Sequence, residues 1–501
     1  MAYLMGIDIG TSSLKTIIID ECGNVKSISA RSYQYDSPHA GYAEQDPEVW
    51  WRACVETVRE ALAESGIKGE DIKGVGFSGQ MHGAVLLDKD LRVIRPAILH
   101  CDARSGEQVR NMNKILGYDR ICNLVLNPIY TGFLLTSLIW VRDNEPHNYD
   151  RVYKVCLPKD YIKLKFTGMV TSDFSDASAT MAFDIKNNCW SEEILNIFKI
   201  SPEIFPECFD TDAVVGYVSA QAAGETGLSI STAVVAGGGD QVMQSIGNGV
   251  TDMRTATANI GSSGQVCYQS NQPITNRQLS TNTFCGFKRG RWIVMGAIMH
   301  AGLSLKWFNG LFEKTDYMML DAQAAKVPPG SGGLIFLPYL NGERTPHINP
   351  NLSAMFIGCN ISTGRAEMAR SVMEGVSFAM MQCMEVCEQL GLNADSVVAS
   401  GGGAHSPLWL QIQSDVYGLP LRVADTDEQA SLGAAIAAGA GTGIFNSIED
   451  GCKRVVRYKK AIVEPNMDNH SIYRNYYSLF KDAYKANKAI LERVTIMGRS
   501  V

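Results

Sequence analysis

The sequence predicts an α/β protein whose architecture is built twice. Three observations carry that expectation. Short apolar strands alternate with helical stretches, which favours a mostly parallel sheet covered by helices. Several of those strands run straight into glycine-rich turns. The segment Ile9-Gly-Thr-Ser-Ser13 is echoed half a chain later by Ile260-Gly-Ser-Ser-Gly264, each time between two strands, as a duplication requires.

Taken in order, Tyr3–Ile9 reads as a strand, a Gly-Thr-Ser-Ser turn fills positions 10–13, and residues 15–19 complete a hairpin closed at Glu21-Cys-Gly-Asn24. Asp46-Pro47 is an N-cap followed by a first-turn proline, after which Trp50, Cys54, Val58 and Leu62 recur at helical spacing. Residues 75–77 form a strand ending in Ser78-Gly-Gln-Met-His-Gly83. The second half restarts with a strand at 233–236, the turn Gly237-Gly-Gly-Asp240, a helix, and strands at 256–260 and 265–268. A long helix over about 365–390 carries Val372, Val376, Met380, Cys383 and Cys387 on one stripe and stops at Gly391; the stripe reads as core. Residues 397–399 enter Ser400-Gly-Gly-Gly-Ala404, and Ser406-Pro407 opens a helix over 408–417. The small-residue run 430–445 predicts a tightly packed helix and turn, and the polar tail after about 446 gives no chemical signal. The boundary is expected near 248–254, giving domains 1–250 and 251–501.

Composition narrows the function. The chain has 501 residues, 46% hydrophobic and 19% charged, with 45 Lys+Arg against 52 Asp+Glu for a net charge of −7. That is ordinary globular composition with room for two or three cores, not a disordered or collagen-like chain. No basic block occurs, so nucleic acid is not an expected partner. No run has membrane-spanning length and composition, the first residues lack a basic flank, and the 13 cysteines contain no CxxC pair. The expectation is a soluble cytoplasmic protein with a small-molecule substrate. A homodimer is compatible with the sequence, which does not fix oligomeric state.

Four glycine-rich turns follow strands, at 10–13, 237–239, 261–264 and 401–403. Glycine lets the backbone approach a ligand, and the N–H and hydroxyl groups there suit phosphate oxygens. None matches the G-x-x-x-x-G-K-[ST] loop or the G-x-G-x-x-G fingerprint, so a nucleotide would be held jointly by both halves. Asp8 ends the first strand and Asp240 follows a triple glycine. A strand-end Asp is often only a cap, but the pair suits phosphoryl transfer, which needs a hard-cation site and an acceptor-positioning base. His82, between Gly79 and Gly83, would face a cleft. A zinc site is disfavoured, because His100 and Cys101 are adjacent and point differently.

These residues resemble the FGGY carbohydrate kinase family, and within it the xylulokinase branch. The matches are Ile7-Asp-Ile-Gly-Thr-Ser-Ser13, Glu44-Gln-Asp-Pro-Glu48, Gly79-Gln-Met-His-Gly83, Pro158-Lys-Asp-Tyr161, Ala236-Gly-Gly-Gly-Asp-Gln241, Gly342-Glu-Arg-Thr-Pro-His347 and Gly401-Gly-Gly-Ala404. The resemblance implies an actin-like (ribonuclease H-like) ATPase fold, with the active site between two similar domains. It implies ATP and Mg²⁺ as cofactors, with D-xylulose phosphorylated at its 5-hydroxyl. Asp240 matches the catalytic base, and Asp8 matches the carboxylate near the metal, both reaching it through water. Gln80, Met81, His82, Gln241 and Asp102 match sugar-side positions. Gly10, Thr11, Ser12, Gly261, Ser262 and Ser263 match the phosphate turns, Gly402, Gly403 and Ala404 the nucleoside loop, and Lys15 either a phosphate contact or a solvated strand lysine. Two segments depart from the family pattern. Leu99-His-Cys-Asp-Ala-Arg104 replaces Leu-Trp-Asn-Asp-x-Arg, and Gly261-Ser-Ser-Gly264 replaces Gly-Thr-Ser-Gly. The first lies close to the expected sugar pocket and bears on specificity. The rival readings are a related kinase for another ketose or polyol, such as ribulose or a hexulose, and a non-catalytic actin-like nucleotide switch.

Overall fold

The structure, a computed structural model, describes residues 2–499. Strand β1 (Tyr3–Ile9) turns through positions 10–13 into antiparallel β2 (Ser13–Asp20), with Ile9 opposite Leu14, and β2 pairs with β3 (Val25–Ser32). Leu4, Met5, Ile7 and Ile9 are all fully buried, because β1 is covered on both faces. Helix α1 (Pro47–Ser65) starts where the Asp46 carboxylate accepts the N–H of Glu48 at 3.0 Å. It buries Trp50, Cys54 and Val58 over β2 and β3. Strand β4 (Ile72–Gly79) runs parallel to β1, bringing Gly79 beside Ile9. Farther along come α2 (Pro158–Thr167), β5 (Val214–Tyr217), β6 (Ala233–Val235), β7 (Gly238–Gly239) and α3 (Asp240–Gly247). The sheet order is β5-β6-β4-β1-β2-β3, with β7 also on β4.

The second sheet is laid out the same way. It contains β8 (Thr255–Ile260), β9 (Gly264–Ser270), β10 (Asn282–Cys285) and β11 (Trp292–Ile298). Helix α4 (Arg365–Gln389), β12 (Ser396–Ser400), α5 (Pro407–Tyr417) and β13 (Leu421–Val423) follow. Its order is β10-β11-β9-β8-β12-β13. The echoed turns close equivalent hairpins. β1 has β2 antiparallel on one side and β4 parallel on the other, and β8 has β9 and β12 in the same senses. The α4 stripe of Val372, Val376, Met380, Cys383 and Cys387 lies in the second core, with both thiols free. Ser406 caps α5, its hydroxyl accepting the N–H of Trp409 at 3.0 Å.

Helix α6 (Gln429–Gly441) confirms the packed helix read from small residues, but it lies on the first sheet, against β1, β4 and α3. Gly6 and Gly76 permit this close approach, since a Cβ on either would strike the carbonyl oxygen of Ser431 or Ala434. The polar tail ends in α7 (Met467–Arg499), which docks Tyr473, Phe480, Ala483 and Leu491 into the second core. Among the described residues, no helix is long and apolar enough to cross a membrane.

Candidate active site

β1, β4 and β7 finish at one edge of the first sheet, with Asp8 beside Ser78 and Gly239 beside Gly79. That register places the two candidate carboxylates at the same strand ends. Asp8 Oδ1 is buried and has no hydrogen-bond partner. Burial pushes its carboxyl above the ordinary range, against the lowering influence of the neighbouring Ser78 hydroxyl and the charge of Lys15. Asp240 opens α3 and keeps part of its surface exposed. Burial of the carboxyl comes first, and the charge of Asp8 second, in raising it to about 7, with bonds from Gln241 opposing. A carboxylate held near neutrality is a competent proton acceptor at physiological pH.

The first turn is preformed by bonds to its own carbonyls. Gly10 N–H donates to Ser13 O at 2.9 Å, the Tyr33 hydroxyl to Gly10 O at 2.7 Å, and Tyr33 N–H to Ser12 O at 2.9 Å. Gln45 Nε2 donates to Thr11 O at 3.1 Å. Lys15 is neither free nor merely solvated; its ammonium pairs with Glu428 at 2.8 Å, just before α6.

Gln80 is buried and works toward the turn. Its Oε1 accepts the Thr11 hydroxyl at 3.2 Å and its Nε2 donates to Gly10 O at 3.4 Å. Met81 lies under Gly239, where an added Cβ would come within 2.8 Å of its Cγ, so glycine is needed there. His82 adopts a left-handed backbone, φ 75°, and stacks on Phe133 with centroids 3.7 Å apart. Its Nδ1 meets Ala179 O at 2.8 Å. The carbonyl can only accept, so Nδ1 carries the proton and Nε2 is left as an acceptor. Burial pushes the ring down to about 3, so it is neutral.

Asp102, expected on the sugar side, has its carboxylate bonded within the protein. Its carboxylate is completely buried and taken by the protein. It accepts Ala43 N–H at 2.6 Å and pairs with Arg104, Nη2 to Oδ2 at 2.7 Å. Arg104 also meets Glu44 at 2.6 Å and lies 3.8 Å from the Tyr42 ring centroid. This is a buried ion pair held within the first lobe.

In the second lobe, a cavity of about 850 Å³ gathers the other predicted turns, with Gly261, Ser262, Gly402 and Gly403 in its wall. Ser263 lies beside this wall in the same turn, and Ala404 is buried behind it. Leu303, Tyr317, Met318 and Ser406 are among the other residues that line it. Sequence reasoning missed Leu303, Tyr317 and Met318, which belong to helices without a chemical motif. α3 joins the lobes, since Gln244 Oε1 accepts from Asn259 Nδ2 at 3.3 Å and Gln241 Oε1 from Cys267 Sγ at 3.9 Å. Sequence reasoning also gave no role to Arg344, which lies in the quoted Gly-Glu-Arg-Thr-Pro-His motif. From the second lobe its guanidinium sits 5.9 Å from the Tyr130 ring centroid, and its charge depresses both His82 and His100 after burial does.

Among the described residues, no three His, Cys, Asp or Glu side chains gather as a metal cage. The pair Asp8 and Asp240, with one orphaned buried oxygen on Asp8, nevertheless fits a hard cation completed by water and phosphate oxygens.

Two matching sheets, a phosphate-type turn at the end of each, and a carboxylate held near neutrality define a two-lobed, actin-like phosphotransferase. The chain belongs to the FGGY family of carbohydrate kinases. The family's N-terminal domain pattern matches residues 3–247 and its C-terminal domain pattern residues 256–442. It is 35% identical over 488 residues to a xylulose kinase of Staphylococcus epidermidis, covering 97% of both chains. It is 33% identical over 491 residues to a xylulose kinase of Bacillus subtilis, covering 97% of this chain and 98% of that one. A crystal structure of a xyloylose kinase from Brucella ovis superposes with a TM-score of 0.90 at 30% identity, over 97% of this chain and all of the other.

Proposed function

We propose that this chain transfers the γ-phosphoryl group of ATP to the 5-hydroxyl of D-xylulose, with the sugar held on residues 1–250 and the nucleoside on residues 251–501. The observation that carries this reading is Asp240, partly exposed and raised to about 7, at the head of the helix that joins the lobes. The xylulose kinases among its full-length relatives support the choice of sugar.

The ionised Asp240 accepts a hydrogen bond from the sugar hydroxyl, directs its oxygen at the γ-phosphorus, and takes the proton as the new P–O bond forms and the bond to ADP breaks. Neutral His82 accepts a hydroxyl hydrogen at Nε2 and Met81 supports the carbon face. The hydroxyl and N–H groups of the two turns supply fixed dipoles to the phosphates. Asp8 and Asp240 would hold Mg²⁺, which would supply positive charge to the phosphates. Closure of the lobes excludes water, which otherwise competes for the phosphoryl group.

The test is ADP release across pentuloses, hexuloses and polyols, with D-xylulose expected to give the highest kcat/KM. Asp240→Ala is expected to lower kcat by orders of magnitude. Retention of more than about a tenth of the rate, a loss below ~1.4 kcal/mol, rejects Asp240 as the base. One observation favours a second reading, a kinase for another ketose: His100 and Cys101 stand where the family pattern has Trp and Asn, and His100 lies within the field of Arg344. A hexulose or ribulose preferred over xylulose in the same panel decides for it.

A further inference from the structure

Beneath the 237–239 turn lies a group of charges that the chemistry above does not use. Lys159, Asp160, Lys163, Asp173 and Asp176 are all fully buried. Lys159 Nζ stands 2.6 Å from Asp160 Oδ1, 2.6 Å from Asp173 Oδ2 and 3.2 Å from Asp176 Oδ2, while Lys163 Nζ is 3.1 Å from Asp160 Oδ1. Burial, reinforced by Asp173 and Asp160 against Lys159, pushes the Asp176 carboxyl well above its ordinary range. Such a cluster is a poor way to stabilise a fold, because desolvation of each ion costs several kcal/mol and apolar residues of similar volume often do as well. Its contacts point to a different use.

Two hydrogen bonds leave the cluster for the turn. Lys163 Nζ donates to Ala236 O at 2.9 Å, at the start of the turn. Ser175 Oγ donates to Asp173 and accepts the N–H of Gly239 at 3.0 Å, one residue before Asp240. The turn is therefore held at both ends. It is also confined from the side, since Gly238 and Gly239 pair with Ser78 and Gly79, and a Cβ on Gly79 would come within 2.8 Å of Lys159 Cβ.

We propose that the buried Lys–Asp cluster fixes the position of the Asp240 carboxylate, with Ser175 as the positioning residue that links the cluster to the Gly239 amide. This rests on Asp240 being the proton acceptor. Ser175 touches no reactant; it sets where Asp240 stands. Displacing a catalytic group by a fraction of an ångström slows chemistry without weakening ground-state binding.

The test is the series Ser175→Ala, Ser175→Cys, Ser178→Ala and Asp240→Asn in the full chain. Ser175→Ala leaves Asp173 accepting the N–H groups of Ser175 at 2.9 Å and Asp176 at 3.2 Å, so the cluster stays bonded. Its kcat is expected to fall about tenfold or more, with sugar and nucleotide KM within about twofold. Ser175→Cys returns a weaker acceptor and recovers part of the rate. Ser178→Ala controls for stability. It removes a bond to Ser175 O at 2.6 Å and the acceptor of Cys285 N–H at 3.0 Å, yet touches nothing in the turn. It is expected to lower Tm and leave kcat unchanged. A wild-type kcat in Ser175→Ala beside an inactive Asp240→Asn overturns the positioning role, as do equal kcat losses in both alanine variants. An active Asp240→Asn instead removes the base assignment on which the proposal rests.

Discussion

The charge of Asp8 acts on Asp240. After burial, it is the second cause that lifts the Asp240 carboxyl to about 7, with Asp8 near the end of β1 and Asp240 directly after β7, two strands that both run beside β4. The ionised form is the proton acceptor, so kcat/KM for the sugar is expected to climb with pH and level off above an apparent pKa of about 7. Asp8→Asn removes the repelling charge and should move that limb to lower pH, even as the maximal rate falls. A limb that stays in place in Asp8→Asn contradicts the coupling.

The same shift has a stability consequence of definite sign. Asp240 holds its proton to about pH 7 in the folded chain, against 3.8 as its ordinary value. The folded state thus binds the proton more tightly, and this contribution is full below about pH 4 and lost as pH rises through 7. Asp240→Asn has no such loss. It is expected to be inactive yet more stable than the parent at pH 8, by about 1–3 kcal/mol after allowing for the partial exposure of the carboxylate. The gap should shrink toward pH 5. Thermal unfolding of both proteins at the two pH values measures it, and a gap that widens on acidification refutes the raised pKa.

His82 should behave as a binding residue that does not titrate. The ring is pushed down to about 3 and donates through Nδ1 to Ala179 O, so its acceptor Nε2 is available at every working pH. His82→Ala is expected to raise sugar KM about tenfold or more with a smaller effect on kcat. In the parent enzyme, sugar KM should show no inflection near 6.5. Such an inflection, absent in the alanine variant, shows that the ring gains a proton and rejects this assignment.

The strands and turns of the site were legible because each was a local pattern, a short apolar run followed by glycines. The duplicated topology was legible from one five-residue echo. Other features depended on tertiary contact. Asp102 sat in a family motif, but nothing in the sequence shows that Arg104 and the Ala43 amide occupy its oxygens. Gln80 was read as a sugar-side position, and nothing in the sequence shows that it also bonds Thr11 and Gly10. The place of α6 on the first sheet was hidden because close packing on Gly6 and Gly76 leaves no periodic sign in either segment. The tail beyond 446 read only as polar, since α7 buries a narrow stripe and exposes the rest.

That stripe is held by a polar bond as well as by packing. The Tyr473 hydroxyl is buried between Arg370 Nη2 and Glu374 Oε1, 2.8 Å from each, and Glu374 also accepts Gly330 N–H at 3.0 Å and the Ser331 hydroxyl at 2.8 Å. The hydroxyl accepts from the guanidinium and donates to the carboxylate, so removing it strips a partner from each of two buried charges. Tyr473→Phe keeps the ring in the core and loses only the oxygen. It is expected to cost about 1–3 kcal/mol, the range for an unsatisfied buried polar group, and to lower the temperature at which the second lobe unfolds. None of these partners belongs to the turns or to the cavity wall, so kcat and both KM values should remain at parental levels. A Tyr473→Phe enzyme that loses activity without losing thermal stability would place α7 in the catalytic cycle rather than in the support of the core.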